Sequence, residues 1–299
     1  MNTLEPLTRL LPATLRRILI PSRSNSEQVH RLADLLQIDC ADLASIRMGP
    51  RYHYRPFVIA KPDGRARRIL APSPALKHLQ RRLLDGYLGT MPVHRCATAF
   101  RSGSSTVLNA RTHAYQKLIA TVDLRDFFES TPANRVRRFF ARHGWRDDAL
   151  STLMRLCVHR NSLPQGAPTS PTLSNLVNLD LDEHLERLAQ RHGGLYTRYG
   201  DDLTFSWDAE RLPIGFQHAV EDRLHRLGYE IQPCKGWCVR AIHEQPTVTG
   251  LVLKGNGRLS IPWALRRKIW RMWFQSWWTG DADLIQSLNG YEAYARAVR

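Results

Sequence analysis

Tyr199-Gly200-Asp201-Asp202 sets two carboxylates side by side between two strand-like runs, Leu195 to Tyr199 and Leu203 to Trp207. Successive side chains of a strand point to opposite faces, so adjacent aspartates can serve one site only where the chain bends beneath them. The glycine allows that bend, and the pattern predicts a β-hairpin with the acids at its tip. Unpaired neighbouring carboxylates repel each other, and a divalent cation relieves that repulsion more completely than a lysine does. Taken alone, the Asp-Asp pair is equally well ordinary turn chemistry.

A third acid changes the balance. Lys117-Leu118-Ile119-Ala120-Thr121-Val122 is apolar and β-branched and runs into Asp123, the pattern of a buried strand with an acid at its carboxyl end. Phosphoryl transfer assisted by two metals roughly 3.5–4 Å apart needs a carboxylate that bridges both ions and others that complete their shells. Asp123 and Asp201 are the expected bridging pair, with Asp202 in support. One ion would sharpen a hydroxyl as nucleophile, and the other would neutralise a triphosphate and its leaving pyrophosphate.

With these acids in place the chain resembles the reverse transcriptases, and within them the retron reverse transcriptases of bacteria. The run 117–128, Leu163-Pro164-Gln165-Gly166-Ala167-Pro168-Thr169-Ser170-Pro171, the hairpin 195–207 and Gly228-Tyr229-Glu230-Ile231 follow the order of that family's blocks. Asn109-Ala110-Arg111-Thr112-His113 is similar to its NAxxH signature, and Val248-Thr249-Gly250 to its VTG signature. The resemblance implies an α+β right-hand polymerase fold with fingers, an antiparallel-sheet palm and a small helical thumb. It also implies two Mg2+ ions, or Mn2+ in their place, held by Asp123, Leu124, Asp201 and Asp202. The substrates implied are dNTPs, with a cognate noncoding RNA as template and primer. Synthesis would start from an RNA 2′-hydroxyl and leave an RNA–DNA product, in a cytoplasmic anti-phage system with a separately encoded effector.

Residue by residue, the resemblance places Lys61 and Arg67 of a basic hairpin on the incoming triphosphate, with Arg65 and Arg68 as near alternatives. Both cation types suit phosphate, arginine as a two-pronged donor and lysine as a point charge. Asp126 and Phe127 would offer backbone N–H groups to the triphosphate, while Phe128 would lie beneath C2′ of the sugar. A ring there leaves a 2′-hydroxyl neither space nor a hydrogen-bond partner. The competing reading puts one or both phenylalanines in the core. Gln165 would contact the deoxyribose side, and Gly166 would let the backbone approach. Lys235 falls roughly where polymerases place a cation for the leaving pyrophosphate, in a register blurred by Pro233 and Gly236.

Asn109 and His113 belong, by the same resemblance, to the surface for the structured RNA, although a buried hydrogen bond from the histidine to the backbone explains them nearly as well. On the carboxyl-terminal helix Arg266, Arg267, Lys268 and Arg271 interleave with Trp263, Trp270, Phe274 and Trp277. That mixture suits stacking on unpaired bases and gripping phosphate. A helical aromatic stripe is equally a core face. One departure stands out: Gly200 replaces the Ala, Val or Met usual in reverse transcriptases, giving a string shared with viral RNA-dependent RNA polymerases. Phe128 and the two signatures argue against that kinship. Group II intron and diversity-generating enzymes, or an RNA-binding scaffold with a vestigial site, compete with the retron reading.

Charge agrees with a polyanionic partner: 43 Lys and Arg against 27 Asp and Glu give a net charge of +16. Five cysteines without paired metal spacing point to a reducing compartment, and no apolar run reaches the length of a membrane span. The expected organisation is an amino-terminal helical segment at 1–50, interleaved fingers and palm at 51–255, and a carboxyl-terminal thumb at 256–299. Pro74 should open a helix, Thr131 should cap another, and Ser170-Pro171 should begin one long helix ending at Gly193. Strands are expected at 229–232 and 247–253.

Overall fold

A computed structural model describes residues 25–48, 53–60 and 66–298. The helices expected before residue 25, the turn Pro62-Asp63-Gly64, Lys61 and Arg65 lie outside the described residues. In chain order the elements are α1 (Asn25–Leu36), α2 (Cys40–Met48), β1 (Tyr54–Ala60), β2 (Ala66–Pro72), α3 (Pro74–Gly86), α4 (Thr106–His113), β3 (Leu118–Asp123), α5 (Ala133–Arg142), α6 (Asp147–Cys157) and α7 (Ser170–Val177). There follow α8 (Leu179–Arg191), β4 (Gly194–Tyr199), β5 (Asp202–Trp207), α9 (Phe216–Arg226), β6 (Trp237–Ala241), β7 (Thr247–Val248), β8 (Leu251–Leu253), β9 (Leu259–Ser260), α10 (Trp263–Thr279) and α11 (Ala282–Ala297). Helices segregate from antiparallel sheets, which is the α+β class.

The chain forms two compact units, Met1–Val93 with Asp126–Leu179, and His94–Arg125 with Asp180–Arg299. In the first, Leu32, Leu36, Leu83, Phe140, Trp145, Leu153 and Leu156 share one buried core. Helix α3 starts as expected, with Pro74 in its first turn and the Ser73 hydroxyl accepting from the Leu76 N–H. Thr131 does not cap α5. It is buried, and its hydroxyl donates to the Phe127 carbonyl at 2.9 Å, so the helix starts without a side-chain cap at Pro132. The long helix expected from Ser170 is broken at Asn178. There the side chain donates to the Ser174 carbonyl at 2.8 Å and accepts from Arg135 at 2.7 Å, taking a bond that would otherwise continue the helix.

In the second unit a four-stranded sheet runs in the order β4-β5-β3-β6, with every pair antiparallel. Phe216 packs edge to face on Phe205 and Trp207 of β5, at ring separations of 5.1 and 4.8 Å. Gly194 is required by this packing, since a β-carbon there would lie 2.3 Å from the Trp207 indole nitrogen. The strand expected at 229–232 is only a bridge from Ile231 to Leu124. Pro233 and the left-handed Gly236 turn the chain, and the fourth strand is β6 instead. The strand expected at 247–253 is the hairpin β7–β8, turned by Thr249 and Gly250 at φ of 46° and 80°. Among the described residues no helix is long and apolar enough to cross a membrane.

Candidate active site

Strand β3 ends on Asp123 and β5 begins on Asp202, and the two residues face each other directly in the antiparallel register. Tyr199 pairs with Asp202 across the hairpin, which leaves Gly200 and Asp201 as its two-residue turn. Gly200 holds φ at +67°, and a β-carbon there would press on the Phe100 ring at 3.3 Å. A two-residue hairpin turn with glycine first matches the right-handed twist of its strands. The Asp201 carbonyl accepts from the Leu124 N–H at 3.0 Å, tying the turn to the end of β3. Local strand and turn preferences thus collect three acids from two distant stretches.

Like charges placed opposite each other across a sheet are destabilising. The cost shows at Asp202, whose carboxyl is pushed up to about 7 by burial, then by Asp201 and Asp123. Lys235 partly offsets it. Its ammonium forms an ion pair with Asp123, and that hydrogen bond holds the lysine above its ordinary range. A lysine serving as cation to three acids is a stand-in for a harder, more highly charged one, so this donor set fits divalent cations. A second group, His94, Cys96 and Glu186, has ligand atoms within 4.8 Å of one another. Within it Glu186 accepts from Arg95 at 2.6 Å and from the Cys96 thiol at 3.2 Å.

The first unit carries the residues expected at the nucleotide. Phe127 is buried, and Phe128 is half-buried against that unit's core with its ring 5.4 Å from that of Phe127. Asp126 is exposed, at a left-handed φ of 43°. Gln165 accepts from the Leu70 N–H at 2.7 Å, which docks its loop on β2. Gly166 has no alternative: a β-carbon there would meet the Leu70 carbonyl at 2.6 Å. Ser170 fixes the other side of the loop by donating to the Pro164 carbonyl at 2.7 Å. Arg67 and Arg68 stand exposed on the β1–β2 hairpin.

Asn109 and His113 do not form an RNA surface, because both are fully buried. The imidazole spans the two strands of the β4–β5 hairpin, Nδ1 lying 2.6 Å from the Ser206 hydroxyl and Nε2 2.7 Å from the Thr197 hydroxyl. Burial lowers its pKa to about 3, which keeps it neutral. Asn109 accepts from the Thr98 hydroxyl at 2.7 Å. Of the two roles the sequence allows, burial is the one realised, but the histidine bonds two side-chain hydroxyls and not the backbone.

Helix α10 seats a narrow stripe, with Met272 and Ser276 buried, and leaves its aromatic residues outside. Trp263, Trp270, Trp273, Phe274, Trp277 and Trp278 are all exposed, so they are not core. Arg266 spends part of its guanidinium on Ser260 and the Ile261 carbonyl. Lys268 bonds the Tyr291 hydroxyl at 2.5 Å and lies 4.3 Å over its ring. These two cations are partly committed to the fold, while Arg267 and Arg271 extend to solvent.

The profile of the reverse transcriptase (RNA-dependent DNA polymerase) family matches residues 59–251. The retron Ec86 reverse transcriptase of Escherichia coli is 32% identical over 290 residues, 95% of this chain and 88% of that protein. The retron Ec73 reverse transcriptase of the same organism is 31% identical over 259 residues, 80% of this chain and 81% of that one. The retron Mx162 reverse transcriptase of Myxococcus xanthus is 36% identical over 234 residues, 69% of this chain. The chain spans about half (48%) of that longer relative. Since the matched span holds all three acids of the palm sheet, and the likeness to the Escherichia coli Ec86 protein extends over almost the whole chain, the protein belongs to the reverse transcriptase family and, within it, to the retron reverse transcriptases.

Proposed function

We propose that this reverse transcriptase copies a cognate structured noncoding RNA into DNA from dNTPs, starting from a 2′-hydroxyl of that RNA. One observation carries the reading: Asp123 and Asp202 face each other at the strand ends beside Asp201, with a lysine ammonium drawn into the cluster. Asp123, Asp201, Asp202 and the Leu124 backbone would hold two Mg2+ or Mn2+ ions, which when bound activate the primer hydroxyl and neutralise charge on the triphosphate. Lys235, whose Nζ donates to Asp123, would hand a proton to the leaving pyrophosphate.

Arg67, with Lys61, grips the phosphates. Asp126 and Phe127 offer backbone donors, Gln165 meets the sugar, and Phe128 excludes ribonucleotides by filling the space below C2′. The exposed aromatics of α10 with Arg267 and Arg271 contact the RNA, and Arg266 and Lys268 add charge beside them. The retron kinship supports a bacterial, cytoplasmic anti-phage role with a separately encoded effector. The test is labelled dNTP incorporation by the full chain purified with its RNA. Mg2+-dependent DNA joined to RNA is expected; RNA retained without extension would leave a scaffold instead.

A further inference from the structure

Arg198 lies three residues before Asp201 and is among the largest fully buried side chains in the protein. Its guanidinium grips Asp182 of α8 in two-pronged fashion, Nε to Oδ1 at 2.8 Å and Nη2 to Oδ2 at 2.6 Å, and Tyr196 adds a hydroxyl bond to Oδ1 at 2.9 Å. The remaining nitrogen, Nη1, donates to the Gly200 carbonyl at 3.3 Å. The Arg198 backbone is fixed as well, its N–H on the Cys96 carbonyl at 2.7 Å and its carbonyl under the Thr98 N–H at 2.8 Å.

An ion pair wholly removed from water is weak support for stability, because well-packed apolar residues of similar volume often serve as well or better. This pair does something an apolar one cannot: it carries a rigid donor from α8 to the turn. The carbonyls on both sides of Asp201 are then held, that of Gly200 by Arg198 and that of Asp201 itself by the Leu124 N–H at 3.0 Å. Fixing the two peptide planes that flank a residue fixes the direction of its Cα–Cβ bond. A misplacement of about 1 Å at a reacting centre can cost about 10²-fold in rate.

We propose that Arg198, clamped by Asp182, is a positioning residue for polymerisation: it holds the Gly200 carbonyl and so sets the direction in which Asp201 presents its carboxylate to the divalent cations. This rests on the metal-holding role proposed for Asp201. Nothing in the sequence marks Arg198 or Asp182 as other than surface charges.

The test uses the full-length chain with both charges and the stranded hydroxyl removed together, Arg198→Met/Asp182→Leu/Tyr196→Phe. Its thermal melting should match or exceed that of the parent, while Mn2+ affinity read by electron paramagnetic resonance on nuclease-treated protein should fall about 10-fold. The Mg2+ concentration for half-maximal extension should rise in step, with the dNTP KM little changed. A variant that melts, binds Mn2+ and extends like the parent overturns the proposal. Should the triple variant not fold, Arg198→Lys keeps a charge on Asp182 but cannot also reach Gly200. Mn2+ affinity unchanged in that variant likewise overturns it. Asp201→Asn run in parallel separates the two claims: if it keeps full activity, the metal role itself has failed, whatever Arg198 does.

Discussion

Around the β4–β5 hairpin the protein buries polar and charged groups, and along α10 it exposes apolar ones. Arg198, Asp182 and His113 are each 0% exposed, while Trp263, Trp270, Trp277 and Trp278 are between 66% and 77% exposed. Both arrangements reverse the usual partition, and they differ in completeness. The side-chain bonds described for these buried groups lie within the hairpin or join it to a helix, so they act on geometry. The tryptophans stand clear of the core on a helix rich in arginine, so what they offer is a surface. On the proposed reading the polar interior would set where the acids point, and the aromatic exterior would meet the RNA.

Substitutions should separate the two regions, and the largest effect is expected in the interior. His113→Ala removes a ring and strands the hydroxyls of Ser206 and Thr197, which should cost about 3 kcal/mol of unfolding free energy by denaturant titration. A loss below about 1 kcal/mol would mean that water replaces the ring. On α10 the pair Trp270→Ala and Trp277→Ala should do the reverse. Stability should change by less than about 0.5 kcal/mol per site, while affinity for the RNA falls by about 1–3 kcal/mol for each ring that stacks on a base. A drop in melting temperature with unchanged RNA affinity would assign those rings to the fold.

Acid provides a finer probe. His113 has its pKa lowered to about 3 on folding, so between there and the ordinary value of about 6.5 the unfolded chain takes the proton first. Its contribution to stability is therefore complete above about pH 6.5 and declines as pH falls, by up to about 1.4 kcal/mol per unit, until about pH 3. His113→Gln cannot titrate, and unfolding measured from pH 7 to 4 should show a shallower slope; an unchanged slope would place the acid sensitivity elsewhere. The smallest effect is expected at the surface cations. Arg267→Ala and Arg271→Ala should each weaken RNA binding evenly across sequences and reduce the salt dependence by about one counterion. A loss confined to one RNA sequence would point to base recognition instead.

The strand that ends on Asp123 and the hairpin that carries Asp201 and Asp202 were legible because each piece is locally encoded. An apolar β-branched run ends on Asp123, and a glycine turn separates two alternating strands. Strand β6 was hidden: Trp237 to Ala241 follows the crowded Pro233 to Gly236 segment, and its middle three residues are exposed, so no alternation marks it. The break at Asn178 was hidden for the opposite reason, because the apolar stripe continues through Leu181 and Leu185 while a bond to the distant Arg135 helps to divide the helix. Asp182 and Arg198 were illegible as a site, since charged side chains read singly belong on a surface and only the folded chain brings these two together. His113 was misassigned to RNA for want of the same information, its partners lying far along the chain on β4 and β5.

Of all measurements, Mn2+ binding and RNA-templated dNTP incorporation by Asp123→Asn, followed on the same folded preparation, bear most directly on the caging of cations by the three aspartates. The expected result is DNA synthesis reduced by at least about 10³-fold and Mn2+ binding weakened, with melting temperature and RNA retention near those of the parent. Undiminished synthesis by that variant would contradict the assignment of the site.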